Sequence, residues 1–339
     1  MSEQRFNELR GEEVVYAIQR QGRTFLPSED HCPLCPTPGR PQTPVHPHTL
    51  IYPHAPAHPH TSADPYTPAD HPLPEDFVET EIPLPAFEIA VFDNLYPTFR
   101  APEGAAEVIV YTDSHHGSLG TLAPERAEAL MWVWRHRYQE LGVRDDVRYV
   151  LIFENRGIEV GATLEHPHGQ IYGYPFVPPV PKLELAADAR LRGCAPCELL
   201  RRELEDRRRV VCENESVAAY IPYAARWPYE IHVVTRDHRP SLLDCAPGEL
   251  RLLAECLQLV TRGYDALFAR PFPYVMVVHQ APTDGHSGGH LHVEFYPPLR
   301  TATKLKYPAG SEQGGGTFVG DTLPEDCAAE LREAIVSVA

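Results

Sequence analysis

The sequence predicts an α+β protein built from two fused repeats, and the order of its motifs is the main observation behind this prediction. Each half contains a Cys-x-x-Cys pair, a pair of strands, a histidine, a long helix, a further strand and a His-x-His run, in that order. The single histidine precedes the His-x-His run by 51 residues in one half and by 52 in the other. Since chance rarely reproduces both an order and a spacing, gene duplication explains them better.

The individual elements follow from local signals. Apolar residues at helical spacing predict helices at 124–142 and 247–269, and both begin with proline and an acidic residue, as a first helical turn prefers. Short apolar runs predict strands. The predicted strands are 89–94, 107–112 and 147–153 in the first repeat and 211–221, 229–235 and 274–279 in the second.

We place the first repeat at residues 1–185 and the second at 186–339, since a chain of 339 residues has room for two domains. Residues 37–75 interrupt the first repeat with a tract rich in proline and histidine. The Cys-x-x-Cys pair is 80 residues from its histidine in the first repeat and 41 in the second, which an insert of about this length explains. Its histidines could bind metal, but so many prolines favour a flexible or polyproline linker.

Composition excludes several classes of protein. The formal net charge of −17 argues against a general nucleic-acid binder, because phosphate backbones need a basic surface. No run of about 18 apolar residues is present, so we expect no membrane span. The polar N-terminus lacks the apolar core of a signal peptide, so the expected location is the cytoplasm.

The run His166-Pro-His168-Gly-Gln170 carries the strongest chemical signal. Residues two apart point to the same side of an extended strand, so one histidine can hold a metal or a phosphate while the other attacks. Polar and small residues precede the run at 153–155 and 161–163, and such residues suit a phosphate. Gln170 stands where a third alternating histidine could be expected.

Seven runs together resemble the galactose-1-phosphate uridylyltransferase family of the histidine-triad superfamily, along nearly the whole chain. They are Arg20-Gln-Gly-Arg23, Cys32-Pro-Leu-Cys35, Phe92-Asp-Asn94, Phe153-Glu-Asn155, His166-Pro-His168-Gly-Gln170, Trp227-Pro-Tyr-Glu230 and Phe295-Tyr-Pro-Pro298. The glutamine that closes the triad is the specific part, because hydrolytic relatives tend to carry histidine there.

The resemblance implies two histidine-triad repeats whose antiparallel sheets join side by side with helices on one face. It implies an enzyme that exchanges UMP between UDP-glucose and galactose 1-phosphate, with UDP-galactose as product and His168 as the nucleophile that carries the uridylyl group. Gln170 would donate its amide to a non-bridging oxygen without promoting hydrolysis. Relatives form homodimers with sites made by both subunits, and we expect the same here.

The resemblance also implies substrate-binding residues. Arg20 and Arg23 would contact nucleotide or sugar phosphate, and Asn94 would lie near the uridine. Phosphate oxygens would be held by residues next to backbone amides: Asn155, Gly161 and Thr163. A segment after the second triad would close over the hexose, in this or a neighbouring subunit, or would be a disordered tail: Lys306, Gly310, Ser311 and Glu312.

Cysteine and histidine predict zinc. In a reducing compartment a Cys-x-x-Cys pair indicates a metal clamp or a redox motif rather than a structural disulfide. The first Cys₂His₂ set suits a closed, structural, tetrahedral Zn²⁺ site: Cys32, Cys35, His115 and His166. The repeat predicts a second Zn²⁺ site: Cys194, Cys197, His238 and His290.

A competing location for the second metal comes from the resemblance, since some relatives hold a metal with one glutamate and three histidines. The corresponding residues are Glu184, His279, His292 and Glu294, the last a carboxylate in place of imidazole. That carboxylate would also repel a phosphate, so His292 is not expected to be a second nucleophile.

Two other functions stay open. One is another nucleotidyltransferase of the same superfamily, such as an ADP-sugar or dinucleotide phosphorylase or adenylyltransferase. The other is a zinc-stabilised nucleotide-binding module without turnover, which would bind nucleotide and form no covalent adduct.

Overall fold

One antiparallel sheet of 11 strands forms the centre of the protein, as a computed structural model shows. The structure describes residues 3–22, 26–27, 32–35, 50–52, 78–79, 88–191, 193–285 and 288–339. The strands of the first repeat are β1 Glu3–Asn7, β2 Glu12–Tyr16, β3 Leu50–Tyr52, β4 Val78–Glu79, β5 Ile89–Asp93, β6 Ala105–Val110, β7 Tyr149–Arg156 and β8 His168–Tyr174. Those of the second are β9 Val210–Glu213, β10 Val217–Tyr220, β11 Ile231–Thr235, β12 Tyr274–His279, β13 His292–Tyr296, β14 Leu299–Thr301 and β15 Lys304–Leu305.

Strand order reproduces the duplication. The large sheet runs β4-β3-β5-β6-β8-β7-β12-β13-β11-β10-β9, while β1 with β2 and β14 with β15 form separate hairpins. Counted outward from the central pair of β7 and β12, the strands β8, β6, β5 and β3 correspond to β13, β11, β10 and β9. The two half-sheets join where Phe153 of β7 pairs with Val277 of β12. The predicted α+β fold of two repeats with sheets side by side is therefore confirmed.

Three long helices cover one face of this sheet: α1 Pro124–Gly142, α4 Pro247–Leu267 and α6 Pro324–Val336. Leu130 and Trp134 of α1 are fully buried in the same core as Ile152 of β7 and Leu257 of α4. Each such side chain stabilises the fold by about 1.5–3 kcal/mol relative to an exposed one. Helix α1 has the predicted bounds, and α4 ends two residues earlier than predicted.

The opposite face carries helices that the sequence did not predict. Helix α3 Ala195–Asp206 packs Leu200 against Ala218 and Val234, whose side chains point away from α4. Helix α2 Pro179–Leu191 contacts α3 and contains residue 185, where we placed the boundary between the repeats. That boundary stays a prediction, but it lies within a helix rather than in a linker. Among the residues that the structure describes, the remaining α-helix is the short α5 Gly310–Gly315.

Two strand predictions need correction. The strand predicted at 211–221 is two strands, β9 and β10, because Asn214 starts a turn: its side-chain oxygen accepts hydrogen bonds from the backbone N–H groups of Ser216 and Val217, both at 3.0 Å. Within the tract 37–75, Leu50–Tyr52 is not a linker but strand β3, which pairs with β5. The rest of the tract lies outside the described residues.

Among the described residues, no helix is both long enough and apolar enough to cross a bilayer.

Candidate active site and metal sites

His168 is the first residue of β8, on the sheet face opposite α1 and α4. Along β8 the side chains alternate, so that Ile171 enters the helix-covered core while His168, Gln170 and Tyr172 share the other face. The predicted shared face of His168 and Gln170 follows from this register.

A backbone carbonyl holds the His168 ring in one tautomer. Its Nδ1 lies 2.7 Å from the carbonyl oxygen of His166. A carbonyl can only accept, so Nδ1 carries the proton and Nε2 keeps a lone pair. The neutral ring therefore has the electronic form that a nitrogen nucleophile requires.

Gln170 is oriented by a hydrogen-bond network that also contains Arg20. Tyr172 donates its hydroxyl to Oε1 of Gln170 at 3.2 Å, which leaves the amide nitrogen as the group able to donate to a ligand. The guanidinium of Arg20 donates to Tyr172 at 3.1 Å and to the hydroxyl of Thr98. Neither Tyr172 nor Thr98 was predicted from the sequence. The alternation from His168 to Gln170 to Tyr172 could have revealed the first, whereas nothing in the sequence pointed to Thr98.

Asn155 belongs to β7, the strand beside β8. Phe153 pairs with Gln170 in this register, so Asn155, two residues further along, reaches the level of His168 on the same face. A side-chain amide at this place can donate to a phosphate oxygen held at His168.

Gly161 and Thr163 shape the loop before the triad. Gly161 has φ +79°, a left-handed conformation that ends the short helical turn Ile158–Val160 and that other residues adopt at a cost. The carbonyl of Thr163 accepts a hydrogen bond of 2.7 Å from the backbone N–H of Leu26. The loop is thereby tied to a segment near Arg20.

The structure gives less support for a binding role of Asn94 and Arg23. Asn94 directly follows β5, and its side-chain oxygen accepts a hydrogen bond of 2.9 Å from the backbone N–H of Tyr96, so this oxygen has a local structural role. Arg23 lies outside the described residues.

The C-terminal segment has its own internal contacts. Lys306 is buried and donates to the carbonyl of Val319, and Ser311 donates to the carbonyl of Thr317 at 2.7 Å. Glu312 accepts hydrogen bonds from backbone N–H groups around α5. Gly310 begins this helix, so the segment is ordered rather than a disordered tail.

The first Cys₂His₂ set comes together as predicted. The ligand atoms of Cys32, Cys35, His115 and His166 all lie within 4.8 Å of one another, and Cys35 Sγ is 3.3 Å and 3.4 Å from the two imidazole Nδ1 atoms. Tetrahedral zinc bond lengths place sulfur and nitrogen ligands about 3.6 Å apart. His166 donates its other nitrogen to the carbonyl of Thr112 at 2.7 Å, as metal-ligating histidines commonly do.

The second Cys₂His₂ set is assembled in the same way but is more exposed. Nδ1 of His290 is 3.2 Å and 3.1 Å from the sulfurs of Cys194 and Cys197, and His238 is 3.7 Å from the latter. Nε2 of His290 lies 3.0 Å from the carbonyl of Thr235, which matches the bond made by the corresponding histidine of the first set. Both donor sets fit a tetrahedral metal.

The competing cluster is assembled as well, and it shares no ligand with the second set. Ligand atoms of Glu184, His279 and His292 lie within 4.8 Å of one another. Glu294 adds a carboxylate 3.6 Å from His292 Nε2 and 3.1 Å from His232 Nε2. Burial alone would raise the pKa of Glu294, but His232, His292 and His279 outweigh it and hold this pKa well below its usual range.

Known proteins are similar to this chain over its full length. The family described as galactose-1-phosphate uridyl transferase, N-terminal domain, matches residues 1–178, and its C-terminal domain counterpart matches 193–337. A galactose-1-phosphate uridylyltransferase of Thermotoga maritima is 34% identical over 362 aligned positions and covers 100% of both chains. One of Streptomyces lividans is 31% identical, with 98% of this chain and 87% of the relative covered.

Solved structures are also similar to this chain over nearly its full length. A uridylyltransferase structure superposes with a TM-score of 0.77 at 26% identity, covering 99% of each chain. An ADP-glucose phosphorylase from Arabidopsis thaliana has a TM-score of 0.70 at 21% identity over 98% of this chain and 99% of its own, which is a likeness of fold alone. With both domains matched and relatives aligned from end to end, the chain belongs to the galactose-1-phosphate uridylyltransferase family.

Proposed function

We propose that this protein exchanges UMP between UDP-glucose and galactose 1-phosphate through a uridylyl group carried on His168. The observation that carries the proposal is the tautomer of His168, whose Nδ1 hydrogen is held by the carbonyl of His166 so that Nε2 carries the lone pair that attacks. The names of the full-length relatives support the choice of substrates.

In the first half-reaction the Nε2 lone pair of His168 forms a bond to the α-phosphorus of UDP-glucose. The bond from that phosphorus to the bridging oxygen breaks, and glucose 1-phosphate leaves with the electron pair. A phosphate monoester has a second pKa of about 6, so this leaving group needs no general acid.

In the second half-reaction a phosphate oxygen of galactose 1-phosphate attacks the same phosphorus. The phosphorus–nitrogen bond breaks, UDP-galactose is released, and His168 returns to its neutral form. Because no proton must be supplied to the leaving group, an amide at Gln170 suffices where a histidine would otherwise stand.

Neighbouring donors stabilise the charge on the phosphoryl oxygens. With its oxygen engaged by Tyr172, Gln170 presents the N–H₂ group, and Asn155 presents an amide from the adjacent strand. Arg20 adds positive charge through the same network. Preorganised donors of this kind act where negative charge develops in the transition state.

The second triad is proposed to be non-catalytic. His292 also directs Nδ1 to a backbone carbonyl, that of His290, at 2.7 Å, so its tautomer matches that of His168. The difference is Glu294, a buried carboxylate next to the ring where the first repeat has Gln170. A fixed negative charge there repels a phosphodiester.

We further propose two structural zinc ions, one in each Cys₂His₂ set, that fix the ends of the triad strands. The cluster of Glu184, His279 and His292 is the alternative location for the second metal. We also propose a homodimer located in the cytoplasm, in which Lys306 and the segment 310–312 close over the hexose in the neighbouring subunit.

Incubation of the protein with UDP-glucose, followed by intact mass measurement, tests the proposal. We expect one uridylyl group per active site. His168→Gly should lose the adduct while zinc content stays near wild type, and added imidazole should restore part of the reaction. The same change at the equivalent position, His292→Gly, is the matched control and should keep the adduct.

Two outcomes would support a different function. Labelling by ADP-glucose but not by UDP-glucose would favour an adenylyltransferase of the same superfamily. Nucleotide binding without any adduct would indicate a zinc-stabilised binding module, and wild-type turnover in His168→Gly would refute the mechanism.

A further inference from the structure

Three buried polar side chains meet in the core directly behind the catalytic strand. They are Tyr111, which follows β6, Glu154 of β7 and Tyr274 of β12, so both repeats contribute. Tyr111 and Tyr274 are fully buried and Glu154 is 4% exposed. Tyr274 donates its hydroxyl to Oε1 of Glu154 at 3.0 Å. Burying a carboxyl group in an apolar core costs free energy unless the group is hydrogen-bonded, so the presence of Glu154 at this place indicates a specific role.

Tyr111 is joined to the triad run at several points. Its backbone N–H donates to the carbonyl of Pro167 at 3.0 Å, and the carbonyl of the next residue, Thr112, accepts from His166. Its hydroxyl lies under Gly169, where an added Cβ would be only 2.3 Å away. The Tyr111 hydroxyl therefore occupies the space that a side chain at residue 169 would need.

Glu154 completes the contact. Neither the hydroxyl of Tyr111 nor Oε2 of Glu154 has a well-formed hydrogen bond in the described part of the chain, although the two groups are close enough for Tyr111 to lower the pKa of Glu154. Burial raises the pKa of Glu154 to about 7, and Arg156, Tyr274 and Tyr111 oppose this rise. Arg156 itself is paired with Asp265 at 2.8 Å. An ionised Glu154 can accept from both tyrosine hydroxyls and so hold Tyr111 against the strand.

The second repeat provides an internal comparison. Val293 pairs with Val278 in the positions that correspond to Gly169 and Glu154. In the same register the residue that corresponds to Tyr111 is Thr235. The repeat that we consider non-catalytic thus has neither the glycine nor the carboxyl group, although its backbone pairing is the same.

We propose that Tyr111 and Glu154 are positioning residues that fix the backbone of Gly169 and thereby the relative placement of His168 and Gln170. The inference rests on the proposed function, since it assigns a purpose to that placement. Neither residue touches the substrate. They act through the strand, and a misplacement of about 1 Å in a reacting group can lower a rate about 100-fold.

The test measures single-turnover adduct formation with UDP-glucose and separates the rate at saturation from the KM. We expect Tyr111→Phe and Glu154→Gln to slow the saturated rate about tenfold while KM changes less than about twofold. The reason is that these substitutions displace the reacting groups but leave the binding of the substrate unchanged. Gly169→Ala should be slower by about 100-fold, since its methyl group meets the Tyr111 hydroxyl. The double variant Gly169→Ala/Tyr111→Phe should be faster than Gly169→Ala, because the oxygen nearest to the added methyl group is gone, but slower than Tyr111→Phe, because the carbonyl oxygen of Phe153 stays 3.1 Å from that methyl group.

Tyr264→Phe is the matched control. It removes a fully buried hydroxyl that donates to the carbonyl of Tyr229 at 2.6 Å, in the same core but away from the triad. We expect a stability loss and wild-type adduct formation. Should Tyr111→Phe not fold, the rates of Glu154→Gln and Gly169→Ala still decide, and wild-type rates in both would overturn the inference.

Wild-type rates in both Tyr111→Phe and Glu154→Gln, or a double variant no faster than Gly169→Ala, would overturn the inference. A wild-type protein that forms no adduct would instead refute the proposed function, and the positioning role with it. The two failures are therefore distinguishable.

Discussion

Glu154→Gln should make the folded protein more stable above neutral pH even though it slows the reaction. The carboxyl group is fully buried, and this burial raises its pKa from 4.5 to about 7. Glutamine has the shape of the protonated acid and can still accept from Tyr274. It removes the charge and replaces the oxygen that can accept from Tyr111 with an N–H₂ group, so the packing is kept while Tyr111 loses its acceptor.

The expected magnitude follows from the two pKa values. Between pH 4.5 and about 7 the folded protein keeps the proton on Glu154 while the unfolded chain has lost it, so stability falls as pH rises. Each pH unit corresponds to about 1.4 kcal/mol, which gives roughly 3 kcal/mol over the whole interval. Above pH 7 both states are ionised and the loss is complete. The glutamine variant does not experience this loss.

Urea unfolding in excess Zn²⁺ at about pH 5.5 and about pH 8 measures the effect. The difference in unfolding free energy between Glu154→Gln and wild type should grow by about 2 kcal/mol from the lower to the higher pH. Glu255→Gln, which removes an exposed carboxylate 3.8 Å from Arg251, is the control and should show a small, constant difference. A difference for Glu154→Gln that is constant or shrinks with pH would refute the reasoning, because it would mean that Glu154 is not buried as a neutral acid.

Gln170→His should raise the rate at which the uridylyl-enzyme decays without an acceptor, because a neutral imidazole can take the proton of the attacking water and an imidazolium can assist the departure of His168; an unchanged decay rate would show that residue 170 does not control hydrolysis. Elemental analysis should find two zinc ions per chain, with one lost in Cys194→Ser and the other in Cys32→Ser. If the second metal is held by Glu184, His279 and His292 instead, Cys194→Ser should keep both metal ions. The cost of Cys194→Ser should appear as several kcal/mol of stability, with adduct formation retained at low temperature.

The sequence was informative where function depends on residue type and spacing. Both Cys₂His₂ sets and the His166–His168–Gln170 run were found from the pattern, because ligand chemistry restricts which residues can stand there. Helix α1 was predicted to the residue, since proline and an acidic residue mark its start and its apolar spacing is regular.

The sequence was less informative where contacts depend on strand register. Tyr111, Glu154 and Tyr274 are separated by up to 163 positions, and only the pairing of β8 with β6 and β7, and of β7 with β12, brings them together. Thr98 and Arg20 lie outside the strands and 78 positions apart, so their contact also depends on the tertiary fold. The turn at Asn214 could have been read from the residue itself, since asparagine often starts turns by accepting from the backbone.

In the proposed mechanism only one of the two repeats is catalytic, although both contain the same histidine geometry. His168 and His292 have the same tautomer, set by the same backbone hydrogen bond of 2.7 Å. The differences lie on either side of that strand. On the substrate side the first repeat has the amide Gln170 where the second has the carboxylate Glu294. On the core side the first repeat has Gly169, supported by Tyr111, where the second has Val293. Since the histidine geometry is common to both, it cannot by itself determine which copy reacts. The charge in front of the strand and the packing behind it are the properties that distinguish them.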